Sequence, residues 1–175
     1  MNRLLCLFVS SLLLMSGGID ADDHVVPDAY RTVSSYHAVP ARILYSIALT
    51  ETQKRLSDGT VRPWPWTLNI AGQGRYFDSR DAMQQAALSA IRDGETNIDI
   101  GLMQINIQYH LHRSFSLIDL MRPEDNLNIA AEILHDEYRR CHGDWWCAVG
   151  AYHSPTPSRA QRYIDKVRRW YDQVL

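Results

Sequence analysis

Three short stretches hold side chains whose types and placing suit chemistry. Glu51 follows Ile43, Leu44, Ile47 and Ala48, which recur at helical period, so Glu51 shares a side with Ile47 and Ala48. A carboxylate beside an apolar face has its charged form disfavoured, and its pKa rises toward what a general acid needs. Spacing alone does not separate this from a solvated helical glutamate. The second stretch runs Gly101, Leu102, Met103, Gln104, Ile105, Asn106. Gly101 permits a sharp entry or a close backbone approach. Gln104 and Asn106 are amides in an otherwise apolar run, suited to sugar hydroxyls and acetamido groups, and equally to helix capping. The third is Ala151, Tyr152, His153, Ser154, a helix end fixed by Pro155 and Pro157. Tyr152 can donate a hydrogen bond to a carboxylate, whereas a lone histidine such as His153 is more often structural. Ser–His–Asp nucleophile signatures, glycine-rich phosphate loops and metal motifs are missing from the sequence.

Helices must position these blocks. Pro40 can open a helix that continues through Leu56 and ends at Gly59, carrying Glu51 in its interior. Pro63, Pro65, Gly72 and Gly74 bracket an alternating run at 67–70, which reads as loop, small strand and turn. Asp78 and Asp81 can cap a helix reaching about Arg92. The Gly101 block reads as a brief extended piece followed by a helix. Residues 115–121 form a short helical piece, and Pro123 opens a long helix through Tyr138. Asp144 to Tyr152 is a tight helix. Ser158 caps the last one, whose apolar stripe is Tyr163, Val167, Trp170 and Val174. The sum is one compact helical domain over 38–175 with at most a two- or three-stranded patch. Residues 22–37 are polar and mixed and read as a loosely attached lead-in.

The chain starts with Arg3, an apolar run from Leu4 to Leu14 broken by Ser10 and Ser11, and then Ser16, Gly17 and Gly18. This is the pattern of a signal peptide over 1–21, cut after Gly18 or Ala21. The run is shorter than the roughly 20 apolar residues that span a bilayer, so no stable membrane insertion is expected. Cys6 lies inside the apolar core. Removal of this segment leaves Cys141 and Cys147, an even pair in an exported chain, which points to a disulfide. The alternative, a metal site with His135 and His142, fits no standard zinc spacing. The formal net charge is −2 with both signs interspersed. That argues against nucleic acid as a partner.

Taken together, the three blocks resemble those of the lysozyme-like lytic transglycosylases related to soluble lytic transglycosylase. The nearest look-alikes are the small periplasmic members that accompany conjugation, type IV secretion and pilus systems. Ala48-Leu49-Thr50-Glu51-Thr52 is similar to the catalytic block, with Thr52 where serine is usual. The block from Gly101 to Asn106 matches the glycine–leucine–methionine–glutamine motif. Ala151-Tyr152-His153-Ser154-Pro155 resembles the alanine–tyrosine–asparagine block, with His153 for asparagine and Pro155 where glycine is common. The resemblance covers roughly Pro40 to Val174. It implies a mainly α, lysozyme-like α+β fold with a small β patch, and cleavage of peptidoglycan glycan strands without a cofactor or metal. It implies Glu51 as catalytic acid and then base, with Tyr152 holding it. Gln104, Asn106 and His153 would line the sugar groove, Met103 would pack beneath a sugar, and Thr52 and Gly101 would support the site. Asp99 is the second carboxylate to examine and is expected to be structural. A hydrolytic lysozyme and a non-catalytic glycan-binding component of a secretion machine remain as alternatives.

Overall fold

The computed structural model describes residues 26–174. The signal segment, its cut after Gly18 or Ala21, and Cys6 lie outside the described residues. The fold is mainly α with a small β patch, as the apolar periods imply. Its centre is α2 (Ala41–Thr52), which begins at Pro40 and buries every residue from Ile43 to Leu49. A helix buried on all sides must be enclosed by other elements. Here α1 (Asp28–His37) and α8 (Pro157–Gln173) pack on it. The long α6 (Pro123–Arg140) packs against α1 and against α7 (Trp145–His153), which in turn packs on α8.

Residues 28–37, expected as a loose lead-in, are the helix α1. Asp28 sits favourably in its first turn, and Tyr30, Val33 and Ser34 turn inward at helical spacing. The Tyr30 ring meets Tyr45 of α2 edge-on at 4.8 Å. Three buried side chains hold a segment whose composition is otherwise polar.

After Thr52 the chain leaves the helix, earlier than Gly59. Gln53–Arg55 (β1) pairs with Val61–Pro63 (β2) in a hairpin. Its turn is fixed by Asp58, whose carboxylate accepts from the Thr60 N–H at 2.9 Å. Glu51 is therefore the penultimate residue of α2, not an interior one. The sheet is larger than expected. Thr67–Ile70 (β3), Gln73–Tyr76 (β4), Ile98–Ile100 (β5) and Ile105–Asn106 (β6) form an antiparallel sheet in the order β4-β3-β5-β6. The helix α3 (Arg80–Arg92) connects its two halves, capped by the Ser79 hydroxyl on the Ala82 N–H rather than by Asp78.

The chain after Gly101 makes a turn and then β6, and helix resumes only at α4 (Ile107–His110), followed by a 3₁₀ turn over Leu111–Arg113. The short α5 (Leu117–Leu120), the start of α6 at Pro123 and the tight helix α7 match the sequence reading, with Asp144 as the cap of α7 rather than its first residue. The last helix is capped from Thr156 with Pro157 in its first turn, not from Ser158, because proline tolerates the missing N–H there. Cys141 and Cys147 form the expected disulfide across the α6–α7 corner. Tyr138 and Trp145 stack beside it at 3.9 Å. Among the described residues no helix is long and apolar enough to cross a membrane.

Candidate active site

Glu51 leaves α2 at its last turn, beside a cleft of about 270 Å³ between the sheet and the helices α6 and α7. The cleft is lined by Glu51, Asn69, Asp99, Gln104, Asn106 and His153, among others. Ile47 and Ala48, the neighbours on the helix face, are wholly buried. Glu51 keeps only part of its surface on the cleft. Burial is the main reason its carboxyl is pushed up to about 7, and the nearby Asp99 carboxylate adds to the rise. A hydrogen bond from Tyr163 and the Lys166 ammonium act in the opposite direction.

The tyrosine that holds Glu51 is Tyr163 of α8, whose hydroxyl donates to Oε1 at 2.5 Å. Tyr152, expected in that role, donates instead to the Met103 carbonyl at 2.8 Å. The correction has a topological cause. The helix α8 packs both on α7 and on α2, and its buried face, which carries Tyr163, is the one that meets Glu51. His153 lies flat on the Tyr163 ring, with centroids 4.3 Å apart and planes 4° apart. It covers that ring, and burial together with the Lys166 charge lowers its own pKa.

Thr52 ties the helix end to the Gly101 block. Its buried hydroxyl donates to the Leu102 carbonyl at 2.8 Å. Gly101 has a φ of 77°, and a Cβ there would come within 2.8 Å of Asn126 Nδ2. Asn126, wholly buried on α6, clamps this turn: it donates to the Ile100 and Leu120 carbonyls and accepts from the Met103 N–H at 2.8 Å. Met103 therefore has its backbone N–H and C=O both held by distant helices. Its side chain is 0 % exposed and lies in the core, so it does not touch a ligand in the cleft, contrary to the expectation of a sugar contact.

Gln104 reaches the cleft in the left-handed region, at φ 49°, and its amide donates to the Gly101 carbonyl at 2.8 Å. Asn106 also lines the cleft while doing structural work. Its Nδ2 donates to Asp99 Oδ1 at 2.8 Å and its Oδ1 caps α4 on the Gln108 N–H. Asp99 accepts a second bond from Asn69 Nδ2 at 2.9 Å. Partial burial raises the Asp99 pKa, and these two amides act against that rise. The Asn69 side-chain oxygen, Oδ1, is buried and has no hydrogen-bond partner among the described residues.

Asn69, Asn126 and Tyr163 were missed by the sequence reading. Asn126 interrupts the apolar face of α6, and a polar residue at a core position is a signal that it satisfies backbone. Tyr163 lay in an apolar stripe, where only its hydroxyl, which needs a partner once buried, marks it out. Chemically, the cleft combines one acid held protonated near neutrality with amide groups around a concave floor. No group of three or more candidate metal ligands occurs among the described residues.

Comparison with protein families gives one match of direct bearing, a model described as the transglycosylase SLT domain, over residues 81–172. The matched span runs from the start of α3 nearly to the end of α8. It contains Gly101, Tyr152 and Tyr163 but begins after α2, so the place of Glu51 rests on geometry and on the block around it. Comparisons with curated proteins and with solved structures found no match.

Proposed function

The chain belongs to the transglycosylase SLT family, and from that premise we propose that it is a lytic transglycosylase acting on the β-1,4 bond between N-acetylmuramic acid and N-acetylglucosamine. Peptidoglycan is the substrate the family implies. The observation that carries the reading is Glu51 itself: a carboxyl raised to about 7, bound by Tyr163 and opening on the cleft.

In the proposed reaction Glu51 gives its proton to the glycosidic oxygen as the bond from that oxygen to C1 breaks. The 2-acetamido group shares the positive charge developing at C1. The Glu51 carboxylate, stabilised by the Tyr163 hydroxyl, then takes the proton of the C6 hydroxyl while O6 bonds to C1. The product is a 1,6-anhydromuramoyl end, with no water consumed. One carboxyl serves twice, unlike the paired carboxylates of most glycosidases. Gln104, Asn106 and the exposed edge of His153 face the sugars. Thr52, Gly101 and Asn126 hold the floor, and Asp99 positions Asn69 and Asn106.

The chain is proposed to act in the periplasm after export and cleavage of its first residues. Its partner there would be a conjugation, type IV secretion or pilus machine that must pass the wall. The test of the reaction is mass spectrometry of sacculi digested by the mature protein. Anhydromuropeptides are expected. Products heavier by one water at the muramoyl end would identify a hydrolase instead.

A further inference from the structure

The helix α8 carries two faces side by side. Tyr163, Val167 and Val174 are buried. Beside them Arg159, Arg162, Lys166 and Arg169 recur at intervals of three and four, which places them within an arc of about 80° over roughly 15 Å of helix. All four are exposed, and none lies within ion-pairing distance of a carboxylate among the described residues. The acidic residues of α8, Asp165 and Asp172, fall outside that arc. Arg168 is otherwise engaged, over the Trp146 ring at 4.1 Å. This concentration of positive charge stands out in a chain whose net charge is −2.

The stripe adjoins the catalytic carboxyl. Lys166 and Arg169 line a separate groove of about 340 Å³ with Thr50 of α2 and Gln53 of β1, which lie to either side of Glu51 in the chain. Trp170 forms its half-buried apolar wall. At the other end, Arg159 and Lys166 both act on His153. A glycan strand leaving the cleft past Glu51 would thus meet uncompensated cations next to its muramic acid.

Resting on the transglycosylase reading, we propose that this stripe, with Arg162, Lys166 and Arg169 at its centre, is a substrate-selecting site for carboxylates carried by muramic acid. The carboxylate comes from the stem peptide or from a bare lactyl group, and guanidinium forks suit either. The role is selection, not chemistry, so it belongs in KM rather than kcat.

The test compares wild type with the double variant Arg162→Gln, Arg169→Gln, which spares Lys166 because its charge acts on Glu51, on three substrates: strands with full stem peptides, amidase-denuded strands, and denuded strands whose lactyl carboxylate has been converted to an amide. Two exposed charges predict a KM higher by about threefold or more on intact strands. The kcat should be unchanged, and the gap should close in high salt. A gap that persists on denuded strands assigns the lactyl carboxylate, and one lost there assigns the peptide. Equal KM values on intact strands, or the same gap on the uncharged strands, would overturn the proposal. Cosedimentation with intact sacculi at low and high salt reads the same site without turnover. It separates a failed stripe, in which wild type and variant sediment alike, from a failed reaction assignment, in which wild type binds but releases no anhydro product. An Arg162→Lys, Arg169→Lys variant keeps the charge and loses the forks, so its KM should fall between those of wild type and the glutamine variant.

Discussion

In the proposed reaction Glu51 faces two demands that usually conflict. It would have to keep its proton near neutrality, which burial favours, and then tolerate becoming a carboxylate, which the Tyr163 hydroxyl favours. Replacing Glu51 with Gln keeps the shape and removes the transferable proton, so anhydromuropeptide release should fall by about 10⁴-fold or more in a folded protein. The same burial has a signature in stability. The folded state holds the proton up to about pH 7, whereas an unfolded glutamate releases it near 4.3. Between those values the folded state binds more protons, so its stability falls as pH rises through the window and the full cost is present above it. Relative to wild type, Glu51→Gln should be neutral at pH 4.5 and more stable by roughly 2–3 kcal/mol at pH 8. Denaturant unfolding at the two pH values measures this, and a difference that does not grow with pH would contradict a buried acid. Activity should likewise decline above about pH 7 as the acid form is lost. The two tyrosines separate by their partners. Tyr163→Phe removes a donor to a charged group, so it should cost roughly 10–100-fold in kcat and move the alkaline limb to higher pH. Tyr152→Phe leaves the Met103 carbonyl unpaired, so it should cost roughly 1–3 kcal/mol of stability with little movement of that limb. A pH-rate profile of each variant decides between them.

Among the elements, the Gly101 turn shows where local sequence stops being informative. The apolar periods of α6 and α8 announce those helices, because each is built from contacts three and four residues apart. The turn is not built that way. Its backbone is satisfied by Asn126 of α6 and Tyr152 of α7, 23 and 49 residues from Met103, so a run that reads as helix is held out of one. Tyr163 was hidden for the same reason: its partner Glu51 lies 112 residues away, and its ring alone looks like core. The helix α1 was hidden by a polar composition that three inward side chains outweigh. What was legible at the site was the acid beside its apolar face, along with the amides. What was not was which tyrosine meets the acid. The clamp gives a sharp prediction. Gly101→Ala would force a Cβ into a left-handed residue and to within 2.8 Å of Asn126 Nδ2. The left-handed strain and the displaced amide together should cost roughly 2–4 kcal/mol. Chemical denaturation would measure that loss. Gly59→Ala has a similar φ but open space around its Cβ, so it should cost only the strain, about 1–2 kcal/mol.

At the scale of the whole molecule, two residues that line the cleft and the stabilising staple occupy opposite ends of one short helix. The disulfide and the Asp144 cap hold the first turn of α7, while Tyr152 and His153 sit in its last turn. Between them Gly150 lets α8 approach so closely that a Cβ there would meet Ile164 Cδ1 at 3.0 Å and Ala160 Cβ at 3.1 Å. The catalytic end of α7 is therefore locked by packing, independently of the sulfur bridge. Cys141 and Cys147 are six residues apart, so the loop they close is short and the chain-entropy gain is only about 2–3 kcal/mol. For a chain of this length that loss lowers Tm by about 5–10 °C. The double variant Cys141→Ser, Cys147→Ser should therefore melt earlier by that amount. It should keep kcat within about threefold at 25 °C, since distant sites act nearly independently. Calorimetry and anhydromuropeptide release on the same sample check both halves. A variant that loses activity in step with stability, while still folded at the assay temperature, would mean that the corner reaches Tyr152 and His153 through α7 and that the Gly150 contact does not insulate them.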